Sequence, residues 1–437
     1  MKIKPSFFLD HLNEILPSHT KHVLVAVSGG MDSMVLLDLL QRTSLSLSVA
    51  HVNFQLRADE ADADEVFVQN FCSYQKIPFY SRHFDTLNYV KIHKCSIQMG
   101  ARALRYKWFA DLLEELKLDY IALGHHLDDT LETFFINWIR GTGLKGLLGI
   151  PTYTKSFFRP LLPFTRGQLF EYAQSRNLQW REDPSNREDK YLRNVIRHRI
   201  VPLLSDLSPD LYKNFSTILL NLNDDYALSE QAVQSALKEL TLSKKKTSFQ
   251  LEIDLFKLRK LNPLKPYLFR LFSPYGFTNW HDLKRLLYAQ SGKQLFSHSY
   301  RIVNDRNRWL LIQRRFDKKR TYEIHAPKII KEPLPLSFTI SSFRYKTALI
   351  SIDFEKILFP LQLRTWRPGD YFYPLGMQQK KKLSKFFKDE KFSLLKKENT
   401  WLLVNADGAI IWIVNHRLDD RFKIRSTTHD ILNINPL

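Results

Sequence analysis

The sequence is short of several things that organise many chains. Its 437 residues hold 2 cysteines, Cys72 and Cys95, far apart and in no C-x-x-C pair. That excludes a disulfide framework and fits a reducing compartment. Acidic residues are in deficit: 45 Asp and Glu against 65 Lys and Arg leave a net charge of +20. Such an excess favours a polyanionic partner, nucleic acid ahead of a membrane surface. No apolar run approaches the length of a membrane span, so no membrane partner is expected. Residues 1–16 have neither the long apolar core nor the small-residue cleavage site of an export signal, and a cytoplasmic location is expected. The G-x-x-x-x-G-K-[ST] loop is missing too. Ser291-Gly292-Lys293 has its tail without the upstream glycine. Without a P-loop lysine, γ-phosphate transfer is disfavoured.

What is present begins as an α/β pattern. Val23–Val27, Leu45–Val52, Phe79–His83 and Tyr120–Leu123 read as strands. Between and after them, Asp32–Gln41, Ala58–Lys76, Ile97–Leu116 and Asp128–Arg140 read as helices. Alternation of this kind predicts a parallel sheet with ligands beyond the carboxyl ends of its strands. After Pro151 the pattern becomes helical, near Arg166–Arg176, Tyr191–Leu204 and Ser208–Leu240, with Lys244-Lys245-Lys246 as a solvated turn. Mixed helix and strand follow over 254–315, and short strands recur around Thr365, Trp401–Val404 and Ile410–Val414. The fold class expected is α/β: a Rossmann-like parallel-sheet domain, a helical and α+β middle domain, and a small C-terminal α+β domain. The boundaries are set at 1–205, 206–320 and 321–437.

Three groups of residues carry chemistry. The first is Ser28-Gly29-Gly30-Met31-Asp32-Ser33, between a strand and a helix. Paired glycines let backbone N–H groups approach a ligand, and the helix N-terminus adds partial positive charge. This loop suits a phosphate or, with the Walker lysine missing, a pyrophosphate. The second is Gly124-His125-His126-Leu127-Asp128-Asp129-Thr130-Leu131-Glu132, on the same rim. On a helix Asp128, Asp129 and Glu132 share a face and repel unless a cation or proton intervenes. Mg²⁺ with nucleotide phosphates is the natural occupant. Zinc through His125 and His126 lacks a third soft ligand. Gly141-Thr142-Gly143-Leu144-Lys145-Gly146 matches G-x-G-x-x-G, but it follows a helix instead of a strand and fails as a dinucleotide fingerprint. The third group is basic. It holds Arg102 and Arg105, then Arg187, Arg193, Arg197 and Arg199, then Arg364, Arg367, Lys380, Lys381, Lys382, Lys385 and further lysines to Lys397. Trp366, Tyr371, Phe372, Tyr373, Phe386 and Phe387 lie among the last set. Lysines and arginines neutralise phosphates and aromatics stack on bases, so RNA contact is expected.

Together these motifs resemble the PP-loop ATP pyrophosphatases, whose signature is S-G-G-x-D-S. More narrowly they resemble the tRNA(Ile)-lysidine synthase family. The narrower likeness runs through Ala50-His51-Val52-Asn53, Leu56-Arg57, Gly100-Ala101-Arg102, Arg105-Tyr106, the His125–Thr133 segment and Arg140-Gly141-Thr142-Gly143. It continues through Arg159-Pro160-Leu161, Glu182-Asp183-Pro184-Ser185-Asn186, Arg193-Asn194, Arg367-Pro368-Gly369-Asp370 and Pro374-Leu375-Gly376. Asn53 departs from the acidic residue of many members, and Asp389–Phe392 follows a weaker version of the pattern.

The resemblance implies a ligase that adenylates the wobble cytidine 34 of tRNA(Ile) with a CAU anticodon and then joins free L-lysine to its C2. ATP would be the co-substrate with Mg²⁺, and a homodimer is one option for assembly. Ser28, Gly29, Gly30, Met31, Asp32 and Ser33 would bind ATP, with Asp32 and Asp129 holding Mg²⁺ or the lysine ammonium. Glu132 would orient or deprotonate the amine, and Arg102 and Arg140 would stabilise the α-phosphate. Arg193, Arg197, Lys380, Lys381, Lys382 and Lys385 would meet RNA. The rival readings are a PP-loop tRNA thiolase, which typically needs paired cysteines, and a non-catalytic RNA-binding protein.

Overall fold

The computed structural model describes residues 3–56, 59–182, 192–246, 249–314 and 321–437. Arg57, Asp183–Asn186 and Arg187, singled out above, lie outside the described residues. The chain divides into two compact units, Met1–Glu230 and Gln231–Leu437.

The first unit begins with helix α1 (Pro5–Ile15), which sequence patterning did not mark. Then come β1 (His22–Ala26), α2 (Met31–Gln41), β2 (Ser46–Asn53), α3 (Asp59–Gln75) and β3 (Phe79–His83). Next are α4 (Thr86–His93), α5 (Ile97–Glu115), β4 (Tyr120–Ala122) and α6 (Leu127–Ile139). The apolar runs form buried strands because helices cover both faces of the sheet. Val23, Leu24 and Val25 are wholly buried. After α6 come α7 (Leu144–Leu147), β5 (Tyr153–Thr154), β6 (Phe157–Phe158) and α8 (Arg166–Ser175). The sheet order is β3-β2-β1-β4-β6-β5, parallel except for the β5–β6 pair. The connections reverse direction between β2 and β4, at β1. That makes the carboxyl end of β1 the switch point where a ligand crevice opens.

The segment expected as one helix over Tyr191–Leu204 is described from α9 (Leu192–Val195) onward. It continues through one π-wound stretch at Ile196–Ile200 into α10 (Val201–Leu207). A π-bulge shifts the side chains that follow it, and such bulges cluster at functional sites. Helix α11 (Leu211–Leu240) packs Phe215 into a small core with Leu127, Leu131, Ile196 and Val201.

In the second unit, β7 (Thr241–Lys246) pairs antiparallel with β8 (Phe249–Asp254). The expected lysine turn is therefore strand. Thr241–Lys246 is the edge strand of its sheet. Three helices, Leu255–Arg259, Leu264–Phe272 and Trp280–Leu287, accompany this five-stranded sheet. Residues 321–437 carry a five-stranded sheet, a four-stranded sheet and a two-stranded one.

Candidate active site

The glycine turn closes on itself through its hydroxyls. Ser33 Oγ donates to the Gly30 carbonyl at 2.8 Å and accepts from Ser28 N–H at 3.2 Å. Gly29 has φ +90°, a left-handed conformation that glycine adopts without strain. Its carbonyl accepts from Arg181 N–H at 2.9 Å, and the Arg181 guanidinium pairs with Asp64 on α3. On the other side, a Cβ at Gly124 would lie 3.3 Å from the Asp32 carbonyl. The exit of β4 therefore fits tightly under the turn.

His126 organises the acids. Its side chain is 1% exposed, with Nε2 3.5 Å from both Asp32 Oδ2 and Asp129 Oδ2, and Nδ1 3.4 Å from Asp128 Oδ2. These are ion-pair distances. Burial alone would depress the imidazolium, but Asp128, Asp32 and Asp129 outweigh it and push the pKa up to about 10. Asp128 also accepts from Tyr212 Oη at 2.5 Å and from Arg166 N–H at 2.8 Å. Asp129 accepts from His126 N–H at 3.0 Å and from Arg193 Nη2 at 2.9 Å.

Glu132 is buried, and both its oxygens are taken. Oε1 accepts from Arg197 Nε at 2.6 Å, and Oε2 from Arg193 Nε at 2.6 Å and Arg197 Nη2 at 3.2 Å. The repulsion foreseen among the three acids is thus relieved by two arginines and His126. In this arrangement Glu132 anchors Arg193 and Arg197 to α6. By the same pairing, Arg193 and Arg197 join the acid cluster, with the Arg193 side chain still 41% exposed.

Of the two candidate metal ligands, Asp32 offers a buried Oδ1 without a partner, whereas both oxygens of Asp129 are engaged. Among the described residues no three His, Cys, Asp or Glu side chains are grouped to hold a metal. One free carboxylate oxygen beside a phosphate loop still fits Mg²⁺, which takes one or two carboxylates plus phosphate oxygens.

The arginines are redistributed. Arg102 is exposed, with its guanidinium 4.5 Å from the Tyr106 ring centre. Arg105, one turn along, lines the cavity at the carboxyl end of β1. Arg140 caps the far end of α6. Eleven residues from Asp129 at 1.5 Å each put its backbone about 16 Å along the helix from that acid. Tyr212 was missed; Arg105 and His125 were singled out in the sequence, as part of a basic pair and as a zinc option, without a place at the cavity. The Arg102–Arg105 spacing was visible in sequence. The signal for Arg105 was its place just ahead of the apolar pair Trp108-Phe109.

Two cavities meet at Ser28, Asp32 and Ser33. One of 210 Å³ lies against β1 and β2. The other, of 640 Å³, is lined by Arg166, Phe170, Trp180 and Arg181.

In the second unit Phe372, Phe386 and Phe387 are core residues, so these three rings are not available for stacking on bases, and half-buried Trp366 packs on them. Arg364 is buried in a two-bond pair with Asp370 at 2.8 Å and shapes the Arg367–Asp370 turn. Lys380, Lys382 and Lys385 are exposed, while Lys381 pairs with Asp389 at 2.7 Å. Tyr371 is exposed, with Lys380 Nζ 5.6 Å from its ring centre. Cys72 is buried, which pushes its thiol up to about 11, and Cys72 and Cys95 are both free. Neither forms the thiol pair a thiolase would use.

The two histidines make a pH prediction. His126 is raised, so its stabilising contribution is complete below about pH 6.5 and is lost as pH climbs towards 10. His125 is lowered to about 4, chiefly by burial, so it is destabilising as pH falls from about 6.5 towards 4. Thermal unfolding measured from pH 4 to 10 should show His126→Gln flattening the alkaline limb and His125→Asn the acid limb. Unchanged limbs in both variants would contradict these assignments.

A glycine turn at a parallel-sheet switch point, facing an acid cluster with one open carboxylate, defines a PP-loop ATP-using domain. The PP-loop domain model matches residues 6–204, the TilS substrate binding domain model residues 246–314, and the TilS substrate C-terminal domain model residues 361–433. The chain belongs to the tRNA(Ile)-lysidine synthase family. It is 36% identical to the tRNA(Ile)-lysidine synthase of Parabacteroides distasonis over 429 residues, 96% of each chain. With that of Bacteroides thetaiotaomicron it is 35% identical over 94% of each. With that of Bacillus subtilis it is 28% identical over 93% of this chain and 91% of the other. Among solved structures, the U34-tRNA thiolase NcsA from Methanococcus maripaludis aligns at TM-score 0.40 and 21% identity. That alignment covers 49% of this chain and 80% of the thiolase.

Proposed function

We propose that the chain forms lysidine in tRNA(Ile). It joins the ε-amine of free L-lysine to C2 of cytidine 34 in a CAU anticodon, with ATP cleaved to AMP and pyrophosphate. The C2 oxygen of the cytidine attacks the α-phosphorus and pyrophosphate leaves. The lysine amine then attacks C2, AMP departs with that oxygen, and the amine proton goes to solvent. The modified base pairs with A instead of G, so the tRNA decodes AUA. The observation that carries this reading is the end-to-end kinship with tRNA(Ile)-lysidine synthases, 96% of each chain.

The geometry supports a division of labour. Backbone N–H groups of Gly30 and Met31 at the start of α2 cradle the phosphates. Asp32 would hold Mg²⁺, which would supply charge neutralisation on the phosphates. His126 holds Asp32 in place, and Arg193 and Arg197 hold the α6 acids. Residues 1–205 are read as catalytic, and 206–320 and 321–437 as tRNA-binding, with exposed Lys380, Lys382 and Lys385 on the last. The work is placed in the cytoplasm, where tRNA, ATP and lysine meet. Incubation with ATP, labelled lysine and bulk tRNA should put label into one tRNA with cytidine 34. Absence of label with that tRNA present overturns the reading.

A further inference from the structure

Asn53 ends β2 with its side chain buried, and its amide is fully used. Nδ2 donates to Asp62 Oδ1 at 2.7 Å and to Glu65 Oε2 at 3.2 Å, while Oδ1 accepts from Gln55 N–H at 3.0 Å. The partners fix which way the amide points, because an ionised carboxylate can only accept. Both acids lie in the first two turns of α3, among Asp59, Glu60 and Asp64. Glu65 Oε2 also meets His83 Nε2 at 2.7 Å. Against burial, hydrogen bonds from Ser81, Asn53 and His83 hold the Glu65 carboxyl below the usual carboxylate range. Asn53 is thus a neutral bridge between two like charges. It stands where many family members carry an acid, and its partners show why an amide suits this chain.

The same helix backs the glycine turn. A Cβ at Gly29 would meet Val68 Cγ2 at 3.4 Å and Phe67 Cδ1 at 3.7 Å. Asp64 pairs with the Arg181 guanidinium, and Arg181 N–H holds the Gly29 carbonyl at 2.9 Å. In a trans peptide the carbonyl and the next N–H point in opposite directions, so that bond also aims Gly30 N–H. We propose that Asn53 is a positioning residue for the phosphate turn: by bridging Asp62 and Glu65 it seats α3, and α3 sets Gly29 through Asp64 and Arg181. The assignment rests on the functional reading above, in which this turn takes the phosphates of ATP. It makes the amide specific. A carboxylate of the same shape at this position would bring three like charges within hydrogen-bond distance and push the start of α3 away from the strand.

The test is steady-state kinetics of the full chain with tRNA transcript, ATP and lysine, each varied in turn. Asn53→Asp should raise KM for ATP about tenfold, the low end for losing a hydrogen bond to a charged group, with KM for lysine and tRNA within about twofold. A purely structural fault would lower the active fraction, and so kcat, without moving KM for ATP. Adding Asp62→Asn to Asn53→Asp exchanges donor and acceptor in the shorter bond, and should bring KM for ATP back to within about threefold of the wild type. If Asn53→Asp does not fold, Asp62→Ala, at an exposed position of α3, should raise KM for ATP about threefold with the same selectivity. An unchanged KM for ATP in the folded variants, a rise shared equally with lysine and tRNA, or a double variant as impaired as Asn53→Asp overturns the role of Asn53. A wild-type chain without tRNA-dependent pyrophosphate release overturns the functional reading instead.

Discussion

Asp32→Ala should lower pyrophosphate release by at least about 10²–10³-fold, the range for removing one transition-state electrostatic contact, while tRNA binding stays within about twofold. Two observations make the effect large. Asp32 Oδ1 is a buried carboxylate oxygen without a hydrogen-bond partner, placed where the glycine turn meets α2. Its other oxygen lies 3.5 Å from His126 Nε2, so the substitution also removes one of three carboxylates balancing a buried imidazolium. The residue is part-exposed in the first turn of α2 and adds little to the core, so the melting temperature should move by only a few degrees. Pyrophosphate release and a filter-binding measurement of tRNA, run on the same preparation, separate the two substrates. Full release by the variant means that the turn does not hold ATP.

Glu132→Ala should strongly destabilise the first unit. It strips two guanidiniums of their shared acceptor and leaves charge in a largely buried site. Breaking a buried pair costs about 3–5 kcal/mol. Arg193 is 41% exposed and Arg197 22%, so the low end, about 3 kcal/mol, applies. In a unit of this size that lowers the melting temperature by about 6–12 °C. Glu132→Gln keeps an acceptor oxygen and should fall between. A variant combining Glu132→Leu with Arg197→Met should recover much of the stability but not the activity, because α9 and the π-wound turn lose their anchor to α6. If Glu132→Ala melts with the wild type, the arginines do not hold the rim.

The glycine turn and the acid triplet could be found in the sequence because their meaning is local. A strand end, two glycines and a helix start lie within a dozen residues, and acids four apart share a helix face whatever surrounds them. What the sequence concealed depends on distance or on depth. Arg193 and Arg197 meet Glu132 across 61 and 65 residues, so their character as basic residues was visible but their partner was not. Arg102 and Arg105 have the same type and near-identical local contexts, and only the packing of α5 decides which faces the cavity. The aromatics among the C-terminal lysines could stack on bases or fill a core, and Phe372, Phe386 and Phe387 fill a core. The lysine run at 244–246 reads as a turn by charge and lies in an edge strand. Arg140 was placed by motif proximity, and the rise of a helix carries it away.

The acids of α6 have a consequence for the making of the protein. Asp128 waits for Tyr212, 84 residues downstream, and Glu132 for Arg193 and Arg197. Even the Gly29 carbonyl waits for Arg181. A ribosome adding 5–20 residues per second needs about 4–17 s to pass from one end of that span to the other. During that interval the emerging sheet carries a carboxylate cluster whose arginine partners have not yet been made. Until residues 193–212 have been made, His126 is the basic partner the α6 acids have close by in sequence, and the rim is completed from the far side of the domain.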